Sequence, residues 1–270
     1  MRKRRIGFGS SLYSGLIFLF LYAPIIVLIV FSFNESKSRG QWTGFSLKWY
    51  RSLFQNSDIM QALYTTLLVA VISAVIAVLI GTCAAVGIFY LNRRLKSLLM
   101  NVTYLPMLNS EIVTGISLLV LYMFLGIPLG RVSLLLAHIT FNIPYVILSV
   151  TPKLVQLDRF VFEAAQDLGA TPVQAFFKVI LPEISPGIVT GFILAFTMSI
   201  DDFVISFFTA GPGVSTLSLS IYSMAKRGIK PEINALSALM FVTILILLVI
   251  VNVRTARDAK PRKKGGGSFA

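Results

Sequence analysis

Long apolar runs, each about the length of a membrane-crossing helix, divide this sequence into alternating hydrophobic and polar segments. Because a helix rises about 1.5 Å per residue, roughly 20 apolar residues are needed to cross the ~30 Å hydrocarbon core of a bilayer. Of the residues, 56% are hydrophobic and 13% are charged, and the mean hydropathy is +0.83, as is typical of membrane proteins. We predict an all-α, polytopic membrane protein with six transmembrane helices. The predicted spans are Leu12–Phe33, a segment within Leu63–Tyr90, about Leu98–Leu125, about Val132–Val150, about Pro186–Phe208, and Ile233–Val253.

The basic residues indicate how the chain lies in the membrane. There are 24 Lys and Arg against 11 Asp and Glu, and with six spans 16 of the 24 fall on the side that holds both termini. The positive-inside rule therefore predicts a multi-pass protein of the plasma (inner) membrane with both termini in the cytoplasm. Membrane orientation accounts for the net charge of +13, so we expect no nucleic-acid partner. The chain divides into a basic N-terminus (1–11), a six-helix domain (12–253) and a basic tail (254–270) that we expect to be disordered.

The residue types that support catalysis or a cofactor are scarce in this sequence. Cys83 is the single cysteine, which excludes an intrachain disulfide, and His138 is the single histidine. No GxxxxGK[ST] phosphate-binding loop occurs, and no nucleophile–base pair stands out. We therefore expect no enzyme activity and no cofactor in this chain. If transport is driven by ATP, then ATP and Mg²⁺ are bound by a separate ATPase.

Charged side chains within the predicted spans mark a candidate substrate pathway. By helical rise, Glu111 lies about 20 Å from the cytoplasmic start of its helix, Asp201 about 23 Å along its span, and His138 about 9 Å below the outer surface. Because acids at the bilayer centre cost about 2.5–3.5 kcal/mol on insertion scales, they usually face an interior or a pathway. We predict that Glu111, Asp201, Asp202 and His138 line a pathway that favours cations. Two alternatives stay open: His138 is a buried, hydrogen-bonded core residue, and Asp202 caps a broken helix or is solvated.

An amphipathic hairpin of two short helices (residues 160–182) lies within the predicted cytoplasmic loop 152–183. Gly169 is expected to end the first helix, since glycine readily adopts a positive φ at this position. Thr171 is placed to cap the second helix in a capping box with Gln174. We expect this second helix to present an apolar stripe and to end at Pro182.

The hairpin resembles the EAA loop of ABC importer permeases. The matching residues are Glu163, Ala164, Ala165 and Gly169, followed at the family's spacing by Val179-Ile180-Leu181-Pro182, with Val179 in place of the usual Ile. In that family the loop is the coupling helix that fits a groove on the cytoplasmic ATPase. The resemblance implies that the ATPase-docking residues are Glu163, Ala164, Ala165, Gly169, Leu181 and Pro182. The alternative is an interfacial hairpin without a partner.

Several further segments resemble the C-type permease of spermidine/putrescine importers. They are Phe33-Asn34, Trp42–Phe45, Trp49-Tyr50, Phe196–Phe203, Ile221–Met224 and Pro231–Leu236. The resemblance implies polyamine transport and three kinds of partner: a second, homologous permease, two ATPase subunits and an extracellular polyamine receptor. We expect the receptor to contact the outer loop 209–232, where Lys226 and Arg227 are candidates for pairing with its carboxylates. Lipid headgroups are the alternative partner for these two residues.

Two other functions remain compatible with the sequence. Related permeases for other small solutes share the EAA loop, so the substrate is the weakest part of the resemblance. An ion-coupled secondary transporter would use Glu111, Asp201 and Asp202 as a relay, but it would need no docking hairpin, and no inverted repeat is evident.

Overall fold

The computed structural model describes residues 8–36, 41–158, 160–227 and 231–258, and in this part of the chain helices dominate. The β-structure in the same residues is one isolated antiparallel bridge between Asn34 and Phe45. The all-α prediction is confirmed. The predicted N-terminal and C-terminal segments lie outside the described residues at 1–7 and 259–270. The helices are α1 (Phe8–Ser32), α2 (Lys48–Gln55), α3 (Ser57–Tyr90), α4 (Arg93–Leu108), α5 (Glu111–Phe124), α6 (Arg131–Gln156), α7 (Val161–Asp167), α8 (Pro172–Ala175), α9 (Leu181–Asp201), α10 (Val204–Thr209), α11 (Leu217–Arg227) and α12 (Pro231–Asp258).

Four continuous helical segments in the described residues are long and apolar enough to cross a membrane. A fifth candidate is the pair α4 and α5, which is bent by 105° at residues 109–110. The stretch Glu232–Ile246 of α12 is apolar but shorter. These six segments overlap the six predicted runs, but the fifth predicted run, 186–208, is not one helix, because α9 ends at Asp201 and α10 begins at Val204. The count of six spans stays a prediction. The four long segments are Leu12–Ser32, Ser57–Tyr90, Arg131–Gln156 and Pro172–Asp201.

Two further boundaries predicted from the sequence are wrong. The third span is not a continuous helix over 98–125, because Asn109 and Ser110 have extended backbones and separate α4 from α5. Pro182 does not end a helix: it lies in the first turn of α9, which follows a π-helical turn at Phe176–Ile180 without a break. In that turn the N–H of Leu181 donates to the carbonyl of Phe176, five residues back. The extra residue shifts the hydrogen-bond register just before Pro182, which has no N–H to donate.

The described residues within 8–60 and 220–244 form one compact unit, held by polar contacts around the end of α1. The side-chain amide of Asn34 donates to the carbonyl of Gln41, and its oxygen accepts the N–H of Thr43. The indole N–H of Trp49 donates to the Asn34 carbonyl at 2.7 Å. The hydroxyl of Ser52 donates to a carboxylate oxygen of Glu232 at 2.8 Å, which joins α2 to the start of α12.

The described residues within 61–219 and 245–258 form the second unit, whose centre is the pair α6 and α9. Two glycines of α9 allow the backbones to approach closely: a Cβ at Gly187 would lie 2.9 Å from the carbonyl oxygen of Ser149, and one at Gly191 would lie 3.3 Å from Cα of Val146. Small residues serve the same purpose in other membrane helix pairs. The largest apolar core cluster surrounds this contact, with Val146, Val150 and Ile184 fully buried.

Candidate functional site

Glu111 lies in the first turn of α5, immediately after the break in the third span. Ser110 caps the helix, since its hydroxyl accepts the N–H of Ile112 at 3.3 Å. The Glu111 side chain is exposed. The sequence estimate of its depth assumed an unbroken helix and therefore does not hold, because the chain turns by 105° just before it. The partial positive charge at the start of a helix favours a carboxylate in this position.

A second break follows Asp201, the last residue of α9. Asp202 has an extended backbone, and its side chain caps the short helix α10. One carboxylate oxygen accepts the N–H of Ile205 at 3.2 Å, and the other accepts the N–H of Ser206 at 2.7 Å. Asp202 is buried, whereas its neighbour Asp201 is exposed. The structure thus shows Asp202 in the helix-capping position that was the alternative to a pathway residue.

His138 packs against this cap. Its Nε2 atom lies 3.1 Å from the hydroxyl of Ser206 and 3.6 Å from the nearer carboxylate oxygen of Asp202. The two side chains of the pair are 1% and 3% exposed, so neither reaches an open surface in the described chain. His138 and Asp202 together fix the start of α10 against α6.

Glu111 and Asp201 form the exposed acidic pair: each carboxylate is exposed, and each lies at one of the two helix breaks. The Glu111 carboxylate acts electrostatically on Asp201, but more weakly than Asp202 does. The segments that follow the two breaks pack together, since α5 is in contact with α10. The four predicted pathway residues therefore divide into an exposed acidic pair and a buried pair, Asp202 with His138.

Sequence reasoning missed a buried polar network one helical turn from His138. The amide nitrogen of Asn142 donates to the hydroxyls of Ser199 at 2.8 Å and Ser73 at 3.3 Å, and the two hydroxyls are 3.1 Å apart. These contacts join α3, α6 and α9. The sequence does contain one indication of this network: His138 and Asn142 are four positions apart, so both lie on the same face of α6.

The hairpin has the local geometry that its sequence predicts. Gly169 has a φ of +89°, and the turn is a Schellman motif in which Gly169 donates to the carbonyl of Gln166 and Ala170 to that of Ala165. In the capping box, the Thr171 hydroxyl accepts the N–H of Gln174 at 3.3 Å, and the Gln174 side chain accepts the N–H of Thr171 at 3.1 Å.

The side chains of the hairpin divide between the core and the surface. Ile180 is buried, whereas Leu168 is 90% exposed, with Val173 and Phe177 also exposed. Of the predicted docking residues, Glu163, Ala164, Gly169 and Pro182 are exposed, and Ala165 and Leu181 are half-buried. Exposed apolar side chains on a rigid, capped turn are typical of a surface that binds another protein.

Comparison with known proteins identifies the family. Residues 77–257 match the model of the family described as binding-protein-dependent transport system inner membrane component. The chain belongs to this family. It is a transport subunit of the inner membrane and not an enzyme. The matched region contains both helix breaks and the whole hairpin.

Individual relatives of this transport subunit are similar over almost its full length. It is 43% identical to the spermidine/putrescine transport system permease protein PotC of Shigella flexneri, over 98% of this chain and 97% of the relative. It is 39% identical to the putrescine transport system permease protein PotI of Escherichia coli K12, over 91% of this chain and 90% of the relative. Its fold resembles a chain of a bacterial ABC transporter for alginate import, with a TM-score of 0.69, 18% identity, and coverage of 93% of this chain and 95% of the other.

Proposed function

We propose that this chain is one membrane-spanning half of an ATP-driven importer for polyamines such as spermidine and putrescine. The observation that carries the proposal is the similarity, over almost the full length, to permeases named for these two amines. The acidic pair supports it, since exposed carboxylates at the two helix breaks suit a multiply charged amine. Such a site replaces part of the hydration of the amine and still releases it, because two carboxylates do not form a closed cage.

The proposed ATPase site is the hairpin. Glu163, Ala164, Ala165, Gly169, Leu181 and Pro182 form the docking set, and the exposed Leu168, Val173 and Phe177 add apolar contact area. ATP and Mg²⁺ are bound by the ATPase subunits, and closure of the ATPase is transmitted through the hairpin to α9. The helix is continuous from the π turn to Asp201, so movement of the hairpin is coupled mechanically to the acidic pair.

The proposed assembly contains a second, homologous permease and an extracellular polyamine-binding receptor. Both termini and the hairpin face the cytoplasm, and six spans cross the membrane. The receptor contacts the loop 209–232, half of which is the helix α11. Within it, the Lys226 ammonium lies over the ring of Tyr222 at 5.1 Å, while the side chain of Arg227 lies outside the described residues.

An uptake competition experiment tests the substrate. The assembly, expressed in cells that lack their own polyamine importers, should accumulate labelled spermidine, and unlabelled putrescine should compete. Amino acids and inorganic anions should not compete. If an amino acid or an anion competes with spermidine, or if no spermidine enters the cells, the importer transports another class of solute.

A second measurement separates an ATP-driven importer from an ion-coupled transporter. The chain, solubilised in mild detergent, should retain its ATPase on an affinity column, and uptake should stop when ATP is depleted at a constant membrane potential. Uptake that follows the ion gradient without ATP would contradict the proposal.

A further inference from the structure

A cleft of about 530 Å³ lies where two membrane-crossing helices end. Tyr90, the last residue of α3, and Leu154, in the last turn of α6, both line it. Since both helices are long and apolar enough to cross the hydrocarbon core and both end here, we place the cleft near the lipid headgroups on one membrane surface. Its volume is in the range of pockets that bind small molecules, about 300–1,000 Å³.

Charges of both signs line the cleft without neutralising one another. Arg93 and Lys96 come from the first turn of α4, and Asp158 and Glu163 come from the segment that leads into α7 and from α7 itself. In the part of the chain that the structure describes, none of the four has a salt-bridge partner within 4.0 Å. Two cations and two anions that share one cleft but do not pair suit a ligand that itself carries both charges.

Aromatic rings complete the walls of the cleft. Phe89 and Tyr90 pack edge to face at 5.4 Å, and Phe162 lies 6.2 Å from Tyr90. The ammonium of Lys96 already lies 4.9 Å from the centre of the Phe89 ring, which shows that a cation is accommodated at this wall. Aromatic faces attract ammonium groups, and more strongly where water is partly excluded.

We propose that this cleft binds the headgroup of a zwitterionic phospholipid that carries a primary ammonium, as phosphatidylethanolamine does. The phosphodiester interacts with Arg93 and with Lys96, which lies against Phe89, and the ammonium interacts with Asp158 and the rings of Tyr90 and Phe162. Basic pockets between membrane helices are known sites for phospholipid headgroups, and the two acids here add selectivity for the ammonium. Because α7 forms one wall, the bound lipid stabilises the base of the hairpin.

Native mass spectrometry of the purified full-length chain, with added lipids, tests this proposal without any variant. Phosphatidylethanolamine should bind at least tenfold more tightly than phosphatidylcholine, whose quaternary ammonium has no N–H to donate. It should also bind more tightly than phosphatidylglycerol, which has the phosphate but no ammonium. Soluble glycerophosphoethanolamine is included as a competitor, since it has the same charged groups without acyl chains.

Matched variants then locate the site. Arg93→Gln combined with Lys96→Gln should abolish the preference for phosphatidylethanolamine, whereas Arg94→Gln should keep it, because Arg94 is exposed and does not line the cleft. Asp158→Asn should remove the discrimination against phosphatidylcholine. The amide oxygen still accepts the N–H of Phe160, as the carboxylate does at 3.1 Å. The control is Asp167→Asn, an exposed position on α7 outside the cleft.

Four results would overturn the proposal. The first is equal binding of phosphatidylethanolamine and phosphatidylcholine by the unaltered chain. The second is an Arg94→Gln variant that behaves like the double variant, since the effect would then be one of surface charge. The third is a double variant that keeps its lipid preference but no longer retains the ATPase, which would make the cleft a protein-binding site. Displacement of the lipid by micromolar glycerophosphoethanolamine would instead assign the site to a soluble phosphodiester.

Discussion

Two adjacent aspartates have different surroundings at the end of α9. Both carboxylate oxygens of Asp202 accept backbone N–H groups, and its side chain packs against His138. Asp201, in contrast, is exposed. The pair shows why a charged residue within an apolar run does not by itself identify a pathway. At this position one acid stabilises the break in the helix, and we assign substrate contact to the other.

Removing the cap should therefore affect stability more than removing its neighbour. Asp202→Ala leaves the N–H groups of Ile205 and Ser206 without their acceptor, at a cost of about 1–3 kcal/mol. The melting temperature in detergent should fall by several degrees. Asp201→Ala, the matched control, should leave it unchanged. If Asp202→Ala and Asp201→Ala have equal melting temperatures, the cap contributes little to the stability of the protein.

Gly169 is the residue on which the hairpin turn depends. With φ at +89° and open space around its Cβ position, a valine there is strained by the backbone alone, by about 1–2 kcal/mol. Gly169→Val should reach the membrane but should lose ATPase retention and transport. Gly213→Val is the control, since Gly213 has a similar φ of +79° and equally open surroundings outside the hairpin. If both variants retain the ATPase equally, the turn is not part of the docking surface.

Among the helices, the contact of α6 with α9 holds the second unit together. A methyl group at Gly187 would meet the Ser149 carbonyl and the Lys153 side chain, both at 2.9 Å, so Gly187→Ala should separate the two helices. Overpacking of this kind costs about 1–3 kcal/mol. Gly87→Ala in α3 meets nothing within 4 Å and should be neutral or slightly stabilising. Thermal unfolding of both variants in detergent checks the difference.

Some of the helices and turns could be predicted from the sequence, and others could not. Apolar runs predict the positions of the spans, and Gly169 with Thr171 and Gln174 predicts the hairpin, because each rests on a local rule. The break at 109–110 is not visible, since Asn109 and Ser110 are short interruptions between apolar residues. The prediction that a helix ends at Pro182 was wrong because proline is also compatible with the first turn of a helix. The π turn before Pro182 depends on packing, which local sequence rules do not describe. The contact of His138 with Asp202 depends on tertiary structure.

At the scale of the whole molecule, the orientation is open to a direct test. After Cys83→Ala, a single cysteine at Asp167 or at Pro212, both exposed positions, can be labelled with a membrane-impermeant maleimide. In intact spheroplasts Pro212→Cys should react and Asp167→Cys should react only after lysis. The reverse pattern would place the hairpin outside the cell and exclude a cytoplasmic ATPase there.

We assign binding of the cationic substrate to the exposed acidic pair, and coupling to the ATPase to the hairpin, which lies elsewhere in the chain. Asp201→Asn and Glu111→Gln keep the side-chain shape and remove one charge each. A charge-assisted hydrogen bond is worth about 1.5–3 kcal/mol, which corresponds to about tenfold or more in affinity. Asp58→Asn, at an exposed acid in the first turn of α3, is the control.

The decisive measurement is spermidine uptake by the reconstituted assembly, with ATP hydrolysis followed in the same vesicles. At low spermidine, both site variants should take up at least tenfold less than the unaltered chain, while basal ATP hydrolysis and ATPase retention stay normal and Asp58→Asn behaves like the unaltered chain. Normal spermidine uptake in both site variants would contradict the cationic pathway.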